Sequence, residues 1–293
     1  MPARFAAPVM VLALAAAGAQ DQKSIVVTVL DQSGAPVKDV AAADLAVQEN
    51  GTMREVVAVK PDTDPMTIAV LVDNAKPTMG KEAPTREIRA ALTAFVQKIQ
   101  QASPDSAIGL WECSGAGVMI QKPTPKTDDL TKRISRMVPG QQSGGVMLEA
   151  LVDASKEVSK KGANPRRVIV ALSLDSPETS TMLPQDVAKA MQKAGVNFWA
   201  VSIAAYADAN TSAQGNSGTR EIILSNITAA SGGAKLTGVT AISLEQQLTK
   251  VADALLSQHV VTYARPADAP AVISRVEAVS KKGMKALTAP WVQ

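Results

Sequence analysis

The chain has 293 residues, of which 46% are hydrophobic and 19% charged, so it is long enough for one large domain or two smaller domains with apolar cores. Its 30 basic residues nearly balance its 27 acidic residues, and no basic run stands out, which argues against a nucleic-acid-binding surface or an electrostatic membrane anchor. The single cysteine, Cys113, excludes an intrachain disulfide framework and a cysteine-based zinc site, and the single histidine, His259, excludes a multi-histidine metal centre. The composition therefore argues against an enzyme.

The first nineteen residues are typical of a secretory signal peptide. Arg4 supplies a positive charge, residues 5–16 form a short apolar segment, and residues 17–19 (Ala-Gly-Ala) fit a cleavage pattern of small residues. The apolar segment is too short and too rich in alanine for a good membrane span. We therefore expect cleavage after Ala19 and a mature protein that is secreted or periplasmic and does not insert into a membrane.

The beginning of the mature chain has the pattern of β-structure. Residues 24–30 are a β-branched run, and residues 45–49 alternate in hydrophobicity. Asn50-Gly51 is a strong hairpin signal, so residues 54–59 are predicted to return as the partner strand. These strands are too few to close a β-sandwich alone.

From residue 67 the pattern changes to alternating strands and helices. The apolar runs at 67–72 and 167–174 are typical of central parallel strands that are buried on both faces. Further strands are predicted at 107–113, 117–121, 197–204 and 234–237, and helices at 88–99, 128–138, 147–160, 184–194, 220–230 and 244–258. This alternation predicts a doubly wound, mostly parallel, Rossmann-like α/β sheet flanked by helices.

The end of the chain returns to β signals, with strands predicted at 260–263 and 272–279. Chain termini often lie close together, so we expect this segment to pair with the amino-terminal hairpin. The expected organisation is a signal peptide (1–19), an amino-terminal β segment (20–62), an α/β domain (63–258) and a carboxyl-terminal β segment (259–293) that completes a small β-domain.

Asp73 and Asp175 each follow one of the two strongly buried strands. Ligands of doubly wound sheets bind at the carboxyl ends of the strands, where the strand order reverses. If the two strands are neighbours at that point, both carboxylates face one crevice. Two carboxylates, completed by hydroxyls and water, are suited to a hard divalent cation.

The order of these elements resembles a von Willebrand factor A (VWA) domain. The whole mature chain resembles the VWA-related (VWFA-related) secreted proteins that are common in acidobacteria. The matching pieces are residues 27–31 before 34–37, residues 44–51, and residues 255–259 with 261–263. Their order and spacing make the resemblance more specific than any one piece.

VWA domains carry a metal-ion-dependent adhesion site, in which an acidic residue of the partner completes the coordination of the ion. The family pattern Asp-x-Ser-x-Ser reads Asp-Asn-Ala-Lys-Pro at residues 73–77, so both hydroxyls are lost and Lys76 adds a competing positive charge. Val146 follows Gly144-Gly145 where the family has threonine, and residues 174–176 read Leu-Asp-Ser in place of Thr-Asp-Gly. The resemblance therefore implies a degenerate adhesion site that keeps only two carboxylates.

We expect no bound metal and no cofactor at this vestigial site of Asp73 and Asp175. Weak Mg²⁺ or Mn²⁺ binding stays open, because hydroxyls of Thr78, Ser143 or Ser176 are potential substitutes for the lost ligands. The same five residues are the candidate partner-binding crevice.

The sequence thus predicts a secreted, non-enzymatic protein-binding module with no catalytic residues and no nucleic-acid partner. Two alternatives remain at this point: a metal-assisted hydrolase that uses Asp73 and Asp175, and a structural component of the cell envelope. His259 is assigned a packing role, because the family more often has tyrosine there and no nucleophile motif accompanies it. Cys113 is expected to be buried as a small hydrophobic residue.

Overall fold

A computed structural model describes residues 21–75, 83–141, 144–174, 176–203, 217–267, 269, 276–280 and 283–288. The predicted signal peptide lies outside these residues, as do Lys76, Thr78, Ser143 and Asp175. In the described part of the chain, no helix is long and apolar enough to cross a membrane.

Strands and helices follow one another much as the sequence pattern predicts. The strands are β1 (Asp21–Leu30), β2 (Leu45–Glu49), β3 (Thr52–Arg54), β4 (Val56–Pro61), β5 (Met66–Val72), β6 (Ala107–Glu112), β7 (Val118–Thr124), β8 (Arg166–Ser173), β9 (Asn197–Ile203), β10 (Lys235–Gly238), β11 (His259–Arg265), β12 (Val276–Ser280) and β13 (Lys285–Thr288). The helices are α1 (Thr85–Ala102), α2 (Thr127–Ser135), α3 (Met147–Val158), α4 (Pro184–Ala194), α5 (Ser217–Ala230) and α6 (Leu244–Leu256).

Six strands form the larger sheet, in the spatial order β10-β9-β8-β5-β6-β7. All neighbouring pairs are parallel except β6 and β7, which form an antiparallel pair. The chain first builds the sheet outward from β5 to β7 and then crosses to β8 on the other side. The strand order therefore reverses between β5 and β8, and the predicted mostly parallel sheet flanked by helices is confirmed.

Helices cover both faces of this sheet. Side chains of α1, α2 and α6 share one buried apolar cluster with the sheet, and side chains of α3, α4 and α5 share a second. In α1, Ile88, Leu92 and Phe95 recur at helical spacing and are each at most 1% exposed. Each such side chain contributes about 1.5–3 kcal/mol through its burial. The packing of helices on both faces of the sheet thus fixes the positions from which the loops at the carboxyl ends of the strands begin.

The two ends of the chain pair with each other in two antiparallel sheets, of order β13-β1-β11-β4 and β12-β2-β3. Val27 of β1, Val47 of β2 and Tyr263 of β11 belong to one buried cluster between these sheets. The pairing expected between the carboxyl-terminal segment and the amino-terminal hairpin is therefore present, as a small two-sheet sandwich.

The amino-terminal hairpin differs from the prediction in its second strand. Asn50 and Gly51 have φ values of 49° and 82°, as a two-residue hairpin turn requires. The strand that returns from this turn is only β3, which ends at Arg54, whereas β4 pairs with β11 in the other sheet. The predicted continuous strand at 54–59 is thus wrong, because the chain changes sheets at Glu55. A hydrophobicity pattern does not show such a corner.

Candidate functional site

Asp73 lies at the carboxyl end of β5, next to β8, at the point where the strand order reverses. The two strands that precede Asp73 and Asp175 are therefore neighbours, as the crevice hypothesis requires. The backbone amide of Asp73 donates to the carbonyl of Leu172 at 2.8 Å, which continues the parallel ladder beyond the strand. Of the predicted crevice residues, Asp73 and Ser176 lie in the described part of the chain, and both are buried.

The carboxylate of Asp73 accepts hydrogen bonds on both oxygens. The Ser176 hydroxyl lies 2.8 Å from Oδ1 and 2.9 Å from Oδ2. The backbone amides of Ala75 and Leu174 donate at 3.3 Å to Oδ1 and at 3.2 Å to Oδ2. The guanidinium of Arg220 donates from Nη1 to Oδ2 at 2.9 Å. The loops after β5 and β8 and the first turn of α5 thus converge on a single carboxylate.

Arg220 also binds a second buried carboxylate, that of Glu178. Its Nε donates to Glu178 Oε2 at 2.6 Å, a distance typical of a strong charge-assisted hydrogen bond. The Arg220 side chain is 3% exposed, and both carboxylates are fully buried. Burial lowers the pKa of Arg220, but Asp73 and Glu178 together outweigh burial and raise its pKa above the usual value. The guanidinium is therefore a permanent cation between two carboxylates.

Glu178 connects this cluster to the start of α3. Its Oε1 accepts from the backbone amide of Met147, the first residue of α3, at 3.1 Å. A carboxylate at this end of a helix satisfies a backbone donor that has no partner within the helix and interacts favourably with the helix dipole. One carboxylate oxygen of Glu178 thus serves α3, while the other binds Arg220.

Gly145 lies directly against the cluster. A Cβ atom on Gly145 would lie 3.0 Å from the carbonyl of Cys113, 3.3 Å from Nη2 of Arg220 and 3.6 Å from Oδ1 of Asp73. The Gly145 amide donates to the carbonyl of Pro177, which ties this loop to the loop after β8. The glycine therefore lets a backbone segment approach the ion pair without a side chain in between.

These residues do not fit the divalent cation that the VWA resemblance implies for Asp73. Both oxygens of Asp73 already accept several donors, and one of these donors is itself a cation. Magnesium requires near-octahedral oxygen coordination at about 2.0–2.1 Å, which the hydrogen-bonded oxygens of Asp73 do not offer. Among the described residues, no group of three or more His, Cys, Asp or Glu side chains is arranged to hold a metal ion.

Cys113 and His259 are buried, and neither side chain is placed as a catalytic group. Burial raises the pKa of the Cys113 thiol well above its ordinary value, and the nearby Asp73 carboxylate raises it further, so the thiol is unreactive. The expected burial of Cys113 is confirmed. His259 lies in β11, in the sandwich, where its Nε2 is 2.8 Å from the backbone carbonyl of Lys38 and donates to it.

The sequence reasoning missed Arg220 and Glu178, which complete the site. Arg220 lies 147 residues from Asp73 in the chain, and no spacing rule connects the two. One signal was present: Arg220 is in the first turn of α5, where the helix dipole disfavours a cation. A basic residue at that position indicates an acidic partner outside the helix.

No protein-family model matches the sequence, and no curated protein is similar to it at a significant level. The structure is similar to proximal thread matrix protein 1 (PTMP1) from the mussel byssus, with 18% identity and a TM-score of 0.53 over 68% of this chain and 50% of PTMP1. Another PTMP1 structure, with a zinc-occupied MIDAS motif (metal-ion-dependent adhesion site), matches with 12% identity and a TM-score of 0.52 over 71% and 49% of the two chains.

The pilus adhesin SpaC from Lactobacillus rhamnosus GG, in its open conformation, matches with 11% identity and a TM-score of 0.53 over 84% of this chain and 46% of SpaC. This chain therefore spans about half the length of the solved structures that it resembles. At these identities the likeness concerns the fold alone. PTMP1 is a VWA-domain protein, and the fold of this chain is accordingly VWA-like.

Proposed function

We propose that this protein is a secreted, non-enzymatic protein-binding module of the adhesion type, with a degenerate metal-ion-dependent adhesion site. The observation that carries the proposal is a set of exposed apolar side chains at the carboxyl ends of the parallel strands. This set, the carboxyl-end face, consists of Val118, Val138, Leu183, Val239 and Ile242, which are 52–82% exposed.

Topology places these side chains at one edge of the larger sheet. Val118 begins the antiparallel strand β7 and so lies beside the carboxyl end of β6. Leu183 precedes α4, which follows β8, and Val239 and Ile242 follow β10. Val138 lies near Asp73. The side chain of Asn74, the residue after Asp73, donates a hydrogen bond to the backbone carbonyl of Val138 at 3.2 Å. These exposed apolar groups share the carboxyl end of the sheet, and on this basis we propose a protein-binding surface there.

The carboxyl-end face coincides with the position at which doubly wound sheets bind their ligands. Asp73, Ser176 and Arg220 form the buried floor beneath it, and the proposed crevice includes Thr78, Ser143 and Asp175. The likeness to a pilus adhesin and to a matrix protein with a metal-binding adhesion motif supports an adhesion role for this face.

The same arrangement disfavours a metal-assisted hydrolase. That reaction requires the Asp73 carboxylate as a ligand for a catalytic ion, whereas this carboxylate is bound by Ser176 and by the guanidinium of Arg220. Cys113 and His259 are buried and have no substrate-facing position. We therefore propose that the described part of the site binds and does not catalyse.

The proposal includes the organisation of the chain. The signal peptide is cleaved after Ala19, and the mature protein is exported, as in the VWA-related secreted proteins common in acidobacteria that the sequence resembles. Residues 63–258 form the binding domain, and residues 20–62 and 259–293 form a β-domain that supports it. No nucleic acid or membrane takes part in the interaction.

Capture of partners from the envelope fraction of the source organism tests the proposal. The wild-type chain is compared with a face variant, Leu183→Ser/Val239→Ser/Ile242→Ser, and with a control variant, Met53→Ser/Val57→Ser. Met53 and Val57 are similarly exposed, at 55% and 49%, but lie on the sandwich.

We expect cross-linking and mass spectrometry to identify a protein that the wild type and the control capture and the face variant loses. Capture that is unchanged in the face variant, or the absence of any captured protein, would contradict the proposal. Thermal unfolding of all three chains checks that the substitutions leave the fold intact.

A further inference from the structure

We infer that the guanidinium of Arg220 takes the place of the divalent cation in this adhesion site, so that the site is held together by a cation built into the chain. This role of Arg220 is independent of the partner-binding function proposed above. It follows from three features of the cluster that Arg220, Asp73 and Glu178 form, namely its contacts, its burial and its charge.

The contacts are those of a bridging cation. Arg220 donates to Asp73 Oδ2 at 2.9 Å, to Glu178 Oε2 at 2.6 Å and to the Ser176 hydroxyl at 3.3 Å. It thereby joins the loop after β5, the loop after β8 and the first turn of α5. A metal ion at the carboxyl ends of the strands would join loops through the same kinds of oxygen ligands.

Burial makes this cation necessary. Asp73 and Glu178 are both fully buried, and a buried carboxylate without a compensating charge is strongly destabilising. Arginine is suited to this position because it stays protonated and offers several donors in a fixed fork. Its place in the first turn of α5 is unfavourable for a cation, so the two carboxylates must offset the effect of the helix dipole.

One donor of Arg220 has no partner in the described part of the cluster. Among the described residues, Nη2 of Arg220 has no hydrogen-bond partner, although it is buried. Nη2 lies next to the position that a Cβ on Gly145 would occupy, at 3.3 Å. Arg220 therefore packs against Gly145, and its Nη2 has no hydrogen-bond partner among the described residues.

The charge of the cluster differs from that of a metal site. Two carboxylates face one guanidinium, so the described cluster has a net charge of −1, whereas a divalent cation would neutralise the same two carboxylates. An acidic residue of a partner is therefore not attracted to the cluster as it is to an adhesion-site metal. It follows that the stability of this protein does not depend on divalent cations.

Thermal unfolding of the full chain with EDTA, MgCl₂ or MnCl₂, together with titration calorimetry, tests the inference. We expect the wild type to show the same Tm in EDTA and in millimolar Mg²⁺ or Mn²⁺, and to show no binding heat. Arg220→Ala in EDTA is expected to unfold roughly 6–20 °C below the wild type, because it leaves two buried carboxylates uncompensated. Mn²⁺ is expected to raise the Tm of Arg220→Ala, and Arg220→Lys is expected to lose less stability than Arg220→Ala.

A second variant removes the charges together and covers the case in which Arg220→Ala does not fold. Asp73→Asn/Glu178→Gln/Arg220→Met replaces the ion cluster by neutral groups of similar size, and we expect it to unfold at a higher temperature than Arg220→Met alone. Three results would overturn the inference: Mn²⁺ or Mg²⁺ binding by the wild type that Asp73→Asn abolishes, an Arg220→Ala chain that folds but gains no stability from Mn²⁺, or a neutral triple variant no more stable than Arg220→Met.

Discussion

Replacement of Asp73 by asparagine tests whether this carboxylate is needed for the stability of the fold or only as a ligand of a metal ion. In a site that waits for a metal, the substitution removes a ligand and need not change the stability of the protein without the ion. In this chain, Asp73 accepts from the backbone amides of Ala75 and Leu174 and from the side chains of Ser176 and Arg220. Whichever oxygen becomes the amide nitrogen then faces donors that it cannot satisfy.

The expected loss of stability follows from these contacts. A hydrogen bond to a charged group contributes about 1.5–3 kcal/mol, and breaking a buried ion pair costs about 3–5 kcal/mol. Asp73→Asn also removes the repulsion between Asp73 and Glu178, which offsets part of this cost. We therefore expect a net loss of about 2–4 kcal/mol in the free energy of unfolding, equivalent to roughly 5–15 °C in Tm for a domain of this size.

Denaturation by urea and thermal unfolding in EDTA measure this loss. The matched control is Asp105→Asn, because Asp105 is exposed and its side chain is expected to change stability by less than about 0.5 kcal/mol. A Tm of Asp73→Asn within about 2 °C of the control would refute the reasoning, because it would show that the buried carboxylate is not needed for the fold.

Three further substitutions probe the site, the packing beside β9 and a partly buried carboxyl group at the end of β6. Glu178→Gln is expected to lower the free energy of unfolding, measured by urea denaturation, by about 2–4 kcal/mol, because it weakens both the contact with Arg220 and the hydrogen bond to the start of α3. A loss below about 1 kcal/mol would contradict this expectation. Gly233→Ala is expected to lower the Tm by several degrees, because the new Cβ would lie 1.8 Å from the carbonyl of Phe198; an unchanged Tm would contradict the packing. Burial raises the pKa of Glu112 above its usual value, and the charge of Arg133 offsets only part of this effect. The ionisation of Glu112 therefore destabilises the fold as the pH rises through the raised pKa, and Glu112→Gln should raise the Tm at pH 7 but not at acidic pH, where the carboxyl group is protonated in both the folded and unfolded states. Equal Tm differences at both pH values would contradict this assignment.

Much of the fold is predictable because it depends on local chemistry. The helix predicted at 184–194 has those bounds in the structure, since Pro184 suits the first turn and Gly195, with φ of 62°, ends the helix in the left-handed region. The strand at 67–72 is likewise predictable, because a strand covered by helices on both faces is apolar throughout. Such features need only the neighbouring residues to define them.

The site was predictable only in its position. Asp73 follows a buried strand, so topology places it at the carboxyl ends of the strands without any knowledge of its partners. Glu178 and Arg220 come from a loop and from a helix end, and they reach Asp73 only through the tertiary fold. In the sequence Glu178 resembles an ordinary solvated charge, and the position of Arg220 at the start of a helix indicates an acidic partner without identifying it. The switch of the chain between sheets at Glu55 was unpredictable for the same reason, because it depends on the distant strand β11.

Crystals of the wild-type chain grown in the presence of MnCl₂, with anomalous diffraction data, test the central role of Arg220 most directly. We predict no anomalous peak within coordination distance of Asp73, with the Arg220 guanidinium between the carboxylates of Asp73 and Glu178. A manganese peak bound to Asp73, with Arg220 displaced from it, would contradict the built-in cation.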